Sequence, residues 1–186
     1  MEPQSSSRKY EFNWDLMGTD LDSAREQLGT MMSMEAYRLF QFTMRDVLEQ
    51  HYGTEAADDI FRESGVLAGR NFYHRYCSAA GDINELAKIV QDKFREMAMG
   101  IVRFEKVDLE NLTFQLTVDE DLDCSGLPDT NDQICVYDEG FIKGLLDAFT
   151  GRDFQVREID CWCSGERTCR FSAHLTGDES ASTANA

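Results

Sequence analysis

Apolar residues recur every three or four positions through much of the first half of the chain, a spacing typical of amphipathic helices. Ser33 and Asp82 each precede such a stretch and are suitable helix N-caps, while Gly53 and Gly100 are suitable stops. A shorter stretch of the same kind begins near Asp22. Helices are therefore predicted at residues 22–28, 33–51, 54–73 and 82–99.

The second half of the chain changes to a period of two, in which apolar and polar side chains alternate as they do in half-buried strands. The four strands are predicted at residues 101–107, 112–118, 154–161 and 168–175. The first two are joined by a short hairpin-like segment, and the last two turn at Ser164-Gly165-Glu166. A further helix is predicted between the two hairpins, directly after Cys135.

The two ends of the chain differ from the rest. Residues 1–9 and 176–186 are mostly small and polar, and we predict that both are disordered because they have almost nothing to bury. Between them the sequence has no internal repeat and no linker long enough to divide it. We therefore expect one domain over residues 10–175, helical in its first half and strand-rich in its second.

Composition narrows the classes of partner. The 186 residues are 42% apolar, which is enough for a core without disulfides. The net charge of −17 repels nucleic-acid phosphates and anionic lipid headgroups, so we expect neither nucleic-acid binding nor membrane insertion. No run of about eighteen apolar residues is present, and the first twelve residues lack the apolar core of a secretion signal. A cytoplasmic protein is expected.

Three of the six cysteines are predicted to meet. In a reducing cytosol, cysteines are thiols or thiolate ligands rather than a disulfide framework. Cys135 precedes a predicted helix, and Cys161 and Cys169 flank the turn of the second hairpin. Thiolates suit zinc in four-coordinate geometry, so we predict a metal site here. The competing interpretation is that they are ordinary buried thiols, which is the one we favour for Cys77.

The fourth ligand of this site is left open by the sequence. Glu158 lies three residues before Cys161 on the same predicted strand, and simple alternation puts the two on opposite faces unless a bulge intervenes. Cys163 has the same parity as Cys161. Cys124 could fold back from the acidic loop at residues 119–132. Each of the three remains a candidate.

The residues around these cysteines also form a recognisable motif: a Cys before a Gly-containing helix, a Gly at its end, Glu-x-x-Cys, Gly and Cys-x-Phe. The matching positions are Cys135, Gly140, Gly144, Gly151, Glu158, Cys161, Gly165, Cys169 and Phe171. The pattern resembles the 4-vinyl reductase domain family, named for a bacteriochlorophyll-biosynthesis protein. The cysteine separations of 26 and 8 residues are also similar to those in the sensory domains of aromatic-responsive bacterial transcription activators.

The resemblance implies a fold and a cofactor. The fold is α/β of the α+β type, a single domain in which helices pack over an antiparallel sheet, commonly as a homodimer. The cofactor is zinc held by Cys135, Glu158, Cys161 and Cys169. Cys124 and Cys163 are additions to the family pattern, so either is an alternative to Glu158 as the fourth ligand.

The function that the resemblance implies is the binding of a small molecule. We expect a stand-alone domain that binds or senses an apolar, aromatic or tetrapyrrole ligand beside a structural zinc site, and that acts on a separate signalling or assembly protein. The alternatives are an accessory enzyme or carrier in bacteriochlorophyll and tetrapyrrole metabolism, and an assembly factor. The candidate pocket residues are Phe40, Phe61, Phe72, Tyr73, His74 and Phe94.

The sequence favours binding over catalysis. It has no glycine-rich dinucleotide or phosphate loop, no nucleophile elbow and no HExxH motif. A vinyl reductase needs a hydride donor, and no site for one is visible. We therefore predict no catalytic residue.

Overall fold

The computed structural model describes residues 10–18 and 20–177, and its helices follow the predicted ones closely. They are α1 (Leu21–Ala24), α2 (Met34–Tyr52), α3 (Thr54–Phe72), α4 (Ile83–Glu96) and α5 (Val136–Thr150). Asp82 caps α4 as expected, because its carboxylate accepts hydrogen bonds from the backbone N–H groups of Asn84 and Glu85. The main difference is at the end of α3, where a π-helical turn, Tyr73–Cys77, extends the predicted helix.

Four strands form one antiparallel sheet. They are β1 (Ile101–Asp108), β2 (Thr113–Asp119), β3 (Phe154–Asp160) and β4 (Cys169–Leu175), in the order β1-β2-β4-β3. Both predicted hairpins are present, and β2 pairs with β4 to join them. With the helices, the sheet gives the mixed helix and antiparallel-sheet fold that was expected.

Strand β3 contains the bulge that its buried residues require. Its register against β4 shifts between Glu158 and Asp160. Because of this shift, Glu158 and Cys161 are both buried although three residues separate them. The bulge therefore removes the objection that strand alternation raised against bringing the two together.

Helices α3 and α5 cross with their backbones in contact. Gly65 and Gly69 on α3 face Gly140 and Gly144 on α5, and a Cβ atom added at Gly65 would lie 2.1 Å from the carbonyl oxygen of Tyr137. Side chains at these positions would force the helices apart, so the four glycines set the distance between them. This close approach fixes the start of α5, where Cys135 lies.

The core lies under the sheet and around this helix pair. Phe72, Phe94 and Phe141 form a buried edge-to-face cluster with ring centroids 5.2 to 6.0 Å apart. Phe154 and Phe171 supply the largest fully buried side chains of the sheet.

The chain divides into two compact units, one up to Ser33 and one from Met34 onward. In the first unit, a 3-10 helix at Trp14–Met17 precedes α1, and neither helix has a buried residue. The predictions of disorder for residues 1–9 and 178–186 concern residues outside those described. Among the described residues, no helix is both long and apolar enough to cross a membrane.

Candidate metal centre

Four cysteines from four different segments meet in the interior. Cys135 caps the N-terminus of α5, Cys161 follows β3, Cys169 begins β4, and Cys124 lies in the loop after β2. All four side chains are fully buried. Their Sγ atoms lie within 4.8 Å of one another. The structure thus brings together the three cysteines that were predicted to converge, and adds Cys124.

The geometry of the four thiols suits a tetrahedral thiophilic metal. A zinc ion with four sulfur ligands at about 2.3 Å places the sulfurs about 3.8 Å apart. Here the Sγ distances are 3.6 Å for Cys135–Cys169, 3.9 Å for Cys135–Cys161 and 3.0 Å for Cys124–Cys169. All six cysteines are free of disulfides. The cluster therefore presents a donor set, and a spacing, that zinc can use.

The electrostatics of the cluster point the same way. Hydrogen bonds from the Cys124, Cys135 and Cys169 thiols lower the pKa of Cys161 well below its usual range. Contact with Cys124 raises the pKa values of Cys135 and Cys169. Without a cation, one thiolate is thus surrounded by three protonated thiols, because buried negative charges repel one another. A divalent cation removes that restriction and favours the thiolate form of all four.

Glu158 lies beside the sulfur cluster. Its Oε2 accepts a hydrogen bond of 3.2 Å from the backbone N–H of Cys135, and the residue is only 4% exposed. Its Oε1 has no hydrogen-bond partner among the described residues. Burial raises the pKa of Glu158 to about 9. The carboxyl group therefore positions the backbone of one thiol ligand and keeps one oxygen free next to the cluster.

The remaining cysteines are placed differently. Cys163 is buried, but its thiol is not part of the four-sulfur group, and its backbone carbonyl accepts hydrogen bonds from the N–H groups of Thr130 and Asn131. Cys77 is fully buried at the end of the π-helical turn, and burial raises its pKa to about 11. Among the described residues, Cys77 belongs to no group of metal-ligating side chains.

A buried ion-pair network supports the site from the helix side. Glu139, in the first turn of α5, accepts hydrogen bonds from Arg62 of α3 and Arg157 of β3 at 3.0 and 3.2 Å. Its other oxygen accepts one from the backbone N–H of Glu158 at 2.9 Å. Because buried charges need such partners, these bonds tie α3, α5 and β3 together around Cys135. Sequence reasoning saw in Glu139 only an acidic residue of a helix N-terminus.

Three further carboxylates crowd the same region. Asp121 accepts hydrogen bonds from the backbone N–H groups of Asp123 and Cys124 at 2.7 and 3.3 Å, which fixes the loop that carries Cys124. Burial raises the pKa of Asp121 to about 7. Asp121 and Asp138 also lie close to Cys135, within 4.8 Å between their ligand atoms. Their roles depend on contacts between distant segments, so no local pattern pointed to them.

A cleft opens between α2, α3 and the segment that leads into α5. It has a volume of about 350 Å³. Its lining comprises Gln41, Phe42, Arg45, Glu49, Thr54, Asp58, Phe61, Asp123, Asp132, Gln133, Ile134, Val136 and Tyr137. A smaller cleft of about 250 Å³ shares Gln41, Phe61 and Tyr137 with it and is also lined by Phe40. We refer to the larger one as the α2–α3 cleft.

The predicted pocket residues divide between cleft and core. Phe61 lines both clefts and Phe40 the smaller one. Phe72 and Phe94 belong to the buried aromatic cluster with Phe141. Tyr73 and His74 contact each other in the π-helical turn, and Tyr73 also packs against the ring of Phe149. The polar lining residues Gln41 and Asp123 were not predicted, because neither has a local sequence signal.

The comparison with protein families turns on the strand-rich half of the chain. Residues 114–175, which include Cys135, Cys161 and Cys169, match the family model of the vinyl-4-reductase domain. The chain contains a vinyl-4-reductase domain. The expected resemblance to the 4-vinyl reductase domain family is therefore confirmed. A curated relative, the uncharacterized protein MJ1642 of Methanocaldococcus jannaschii, is 27% identical over 92 residues.

Solved structures agree on the fold of this vinyl-4-reductase domain. The phenol-responsive sensory domain of the transcription activator PoxR, solved with phenol, matches with a TM-score of 0.59 and 17% identity over 78% of this chain and 76% of that one. A vinyl-4-reductase family protein from Methanocaldococcus jannaschii matches with a TM-score of 0.55 and 17% identity over 87% and 92%. The alignment to MJ1642 covers 50% of this chain and 55% of the relative, so this chain spans about half of that relative's length.

Proposed function

We propose that this vinyl-4-reductase domain binds a small ligand in the α2–α3 cleft and that a zinc ion holds the floor of the cleft in place. The observation that carries the proposal is the position of two lining residues. Asp123 directly precedes Cys124, and Tyr137 follows Cys135 by two residues. Metal binding at these two cysteines therefore fixes one side of the cleft, and a ligand in the cleft reports to the same segments.

The zinc ion in this proposal is bound by Cys124, Cys135, Cys161 and Cys169. Zinc supplies no redox chemistry, and four protein ligands leave no open position for water, so its role is structural. Glu158 is the competing fourth ligand that the family pattern implies. In our proposal Glu158 keeps its hydrogen bond to the Cys135 backbone and supports the site from outside.

The size of the cleft favours a small aromatic ligand. A volume of about 350 Å³ lies at the lower end of the range of about 300 to 1,000 Å³ that is typical of ligand sites. Phe42, Phe61 and Tyr137 offer aromatic walls. We therefore favour a single-ring or two-ring molecule over a tetrapyrrole macrocycle. The same dimensions leave no room for a nicotinamide dinucleotide as a hydride donor, which favours sensing over reduction.

Sensing needs an output, and the helix faces next to the cleft supply a surface for one. Leu39 and Phe40 on α2 are 67% and 64% exposed, and Val47 and Leu67 are also exposed. Apolar side chains at this density favour a protein interface. We propose a second copy of this chain as the occupant, with a separate signalling or assembly protein reading the ligand state of the homodimer. Light scattering on the purified chain measures the dimer directly.

The ligand proposal is tested by blocking the cleft. Thr54 lines the cleft at the exposed start of α3, so Thr54→Trp places an indole ring across it. A neutral, cationic and anionic panel of single-ring aromatics is screened by thermal shift on the zinc-loaded chain. A ligand that binds the folded state raises the melting temperature of the wild type by mass action. We expect Thr54→Trp to abolish that rise.

The matched control is Glu55→Trp, which adds the same ring at the neighbouring exposed position outside the lining. It should leave the shift unchanged. If no compound of the panel stabilises the wild type, or if Thr54→Trp responds as the wild type does, the α2–α3 cleft is not the ligand site.

A further inference from the structure

We infer that the ligand of the α2–α3 cleft is a small organic cation, an aromatic amine whose ammonium group donates hydrogen bonds to Asp123 and Gln41. This inference rests on the proposed function and names the class of ligand. Three observations support it: unpaired buried acceptors, the charge of the lining, and the aromatic walls.

Two oxygen atoms in the cleft lining lack a hydrogen bond. Oδ2 of Asp123 and Oε1 of Gln41 are both buried, with no partner among the described residues. Asp123 is only 5% exposed, so it belongs to the built interior and not to a solvated surface. Buried acceptors without donors are rare and costly, and a cleft that holds two of them calls for a donor from a ligand.

Asp123 is held in the orientation that leaves this oxygen available. The hydroxyl group of Tyr37 donates a hydrogen bond of 2.8 Å to Oδ1 of Asp123. The backbone N–H of Asp123 donates to Asp121 at 2.7 Å. One oxygen and the backbone are thus fixed by the protein, and Oδ2 remains for the ligand. An anchor that is positioned before binding loses little entropy when the ligand arrives.

The charge of the lining selects a cation. The cleft contains four carboxylates, Glu49, Asp58, Asp123 and Asp132, against the single guanidinium group of Arg45. Arg45 is already paired with Glu49 and Asp58, at 2.8 Å in each case. A carboxylate or phosphate ligand would therefore meet uncompensated like charge, which disfavours binding.

The walls explain why the cation is an aromatic one. Phe61 lines the cleft, and the Arg45 guanidinium group lies 5.0 Å from the centre of its ring. Phe42 and Tyr137 complete an apolar surface for a ligand ring. Aromatic faces also attract positive charge. An ammonium group at the polar end and a ring between these walls match both halves of the lining.

Four probes of matched shape test the inference: 4-methylbenzylamine, 4-methylbenzyl alcohol, p-xylene and 4-methylbenzoate. Each is titrated by calorimetry into the full, zinc-loaded chain. We expect the amine to bind at least tenfold more tightly than the alcohol, with p-xylene and the benzoate weaker still. If p-xylene or the benzoate binds as tightly as the amine, charge selection is overturned while ligand binding in the cleft still stands. If none of the four binds, the inference is overturned as well.

Variants at the two acceptors localise the effect. Asp123→Asn should weaken amine binding at least tenfold and change alcohol binding by less than twofold, because only the charge is lost. Asp129→Asn is the control, since Asp129 lies in the same loop but is exposed and outside the cleft lining. Gln41→Leu, which is remote in sequence from the cysteines, should weaken amine binding with unchanged zinc content. Retention of full amine affinity in both Asp123→Asn and Gln41→Leu overturns the assignment.

Discussion

At the scale of single residues, the metal site is distinguished by which atoms face one another. The sequence favoured Cys135, Cys161 and Cys169 because each lies at the end of a predicted element. It did not favour Cys124 over Glu158, because Cys124 reaches the site through a loop whose path depends on the hydrogen bonds of Asp121. Such a path is set by tertiary contacts, and alternation along a strand carries no information about it.

The choice of fourth ligand gives a direct prediction. Cys124→Ser should lose most of the bound zinc, since a hydroxyl is a far weaker ligand than a thiolate. Glu158→Gln should retain about one equivalent, because the amide oxygen can still accept the hydrogen bond from Cys135. Metal content of protein purified without added zinc is measured by elemental analysis, with Cys77→Ser as the control that keeps its metal. The reverse result, with loss only in Glu158→Gln, identifies the glutamate as the ligand.

Cys77 yields a second prediction at this scale, for pH dependence. Its pKa rises from the usual 9 to about 11 in the folded chain because burial disfavours the thiolate. Between pH 9 and 11 the unfolded chain therefore releases a proton that the folded chain retains. The free energy of unfolding should fall by about 1.4 kcal/mol per pH unit over this window from this residue alone. Below pH 9 both states keep the proton, so the full stability is present there.

The measurement for Cys77 is the difference between two denaturation series. The wild type and Cys77→Ala are unfolded in urea from pH 8 to 11. Cys77→Ala is destabilised at pH 8 by its cavity, but the gap should narrow as the pH rises through the window. A constant gap across the series would show that the thiol does not retain its proton.

At the scale of elements, most of the helices and strands follow from periodicity and capping. Asp82 and Gly151 mark the ends where they were expected, and the two hairpins lie within one or two residues of their predicted bounds. The exceptions come from packing. The extension of α3 by a π-helical turn and the bulge in β3 each accommodate buried side chains, and neither has a distinct local pattern. The pairing of β2 with β4 joins distant segments and was likewise beyond a local pattern.

The crossing of α3 and α5 makes a prediction of its own. Gly65→Ala would bring a Cβ within 2.1 Å of the Tyr137 carbonyl oxygen and 2.8 Å of the Phe141 amide nitrogen. Both are backbone atoms of a packed helix, so the helices must separate. We expect a loss of about 3 kcal/mol or more, at the upper end for overpacking. Gly81→Ala is the control, because its nearest neighbour is a flexible glutamate oxygen at 3.5 Å. Urea denaturation should separate the two variants; equal stability would mean that the helix pair tolerates separation.

At the scale of the whole molecule, the zinc site and the cleft should behave as one unit. The segments that carry Cys124 and Cys135 also supply Asp123 and Tyr137 to the cleft. Without metal, four buried thiols remain with weak contacts to one another, and the loop at residues 120–135 has no strand or helix to hold it. Zinc removal is therefore expected to loosen this loop while the aromatic core around Phe72 and Phe94 stays packed.

Hydrogen exchange measured with and without a chelator tests this coupling. Faster exchange is expected at residues 120–139 and 161–169 after zinc removal, with little change in α4, which does not carry a metal ligand. Ligand stabilisation should be lost in parallel, because half of the cleft lining moves with the loop, and readdition of zinc should restore both. Uniform acceleration across α4 would instead make the metal a requirement for global folding, and unchanged ligand binding would separate the cleft from the metal site.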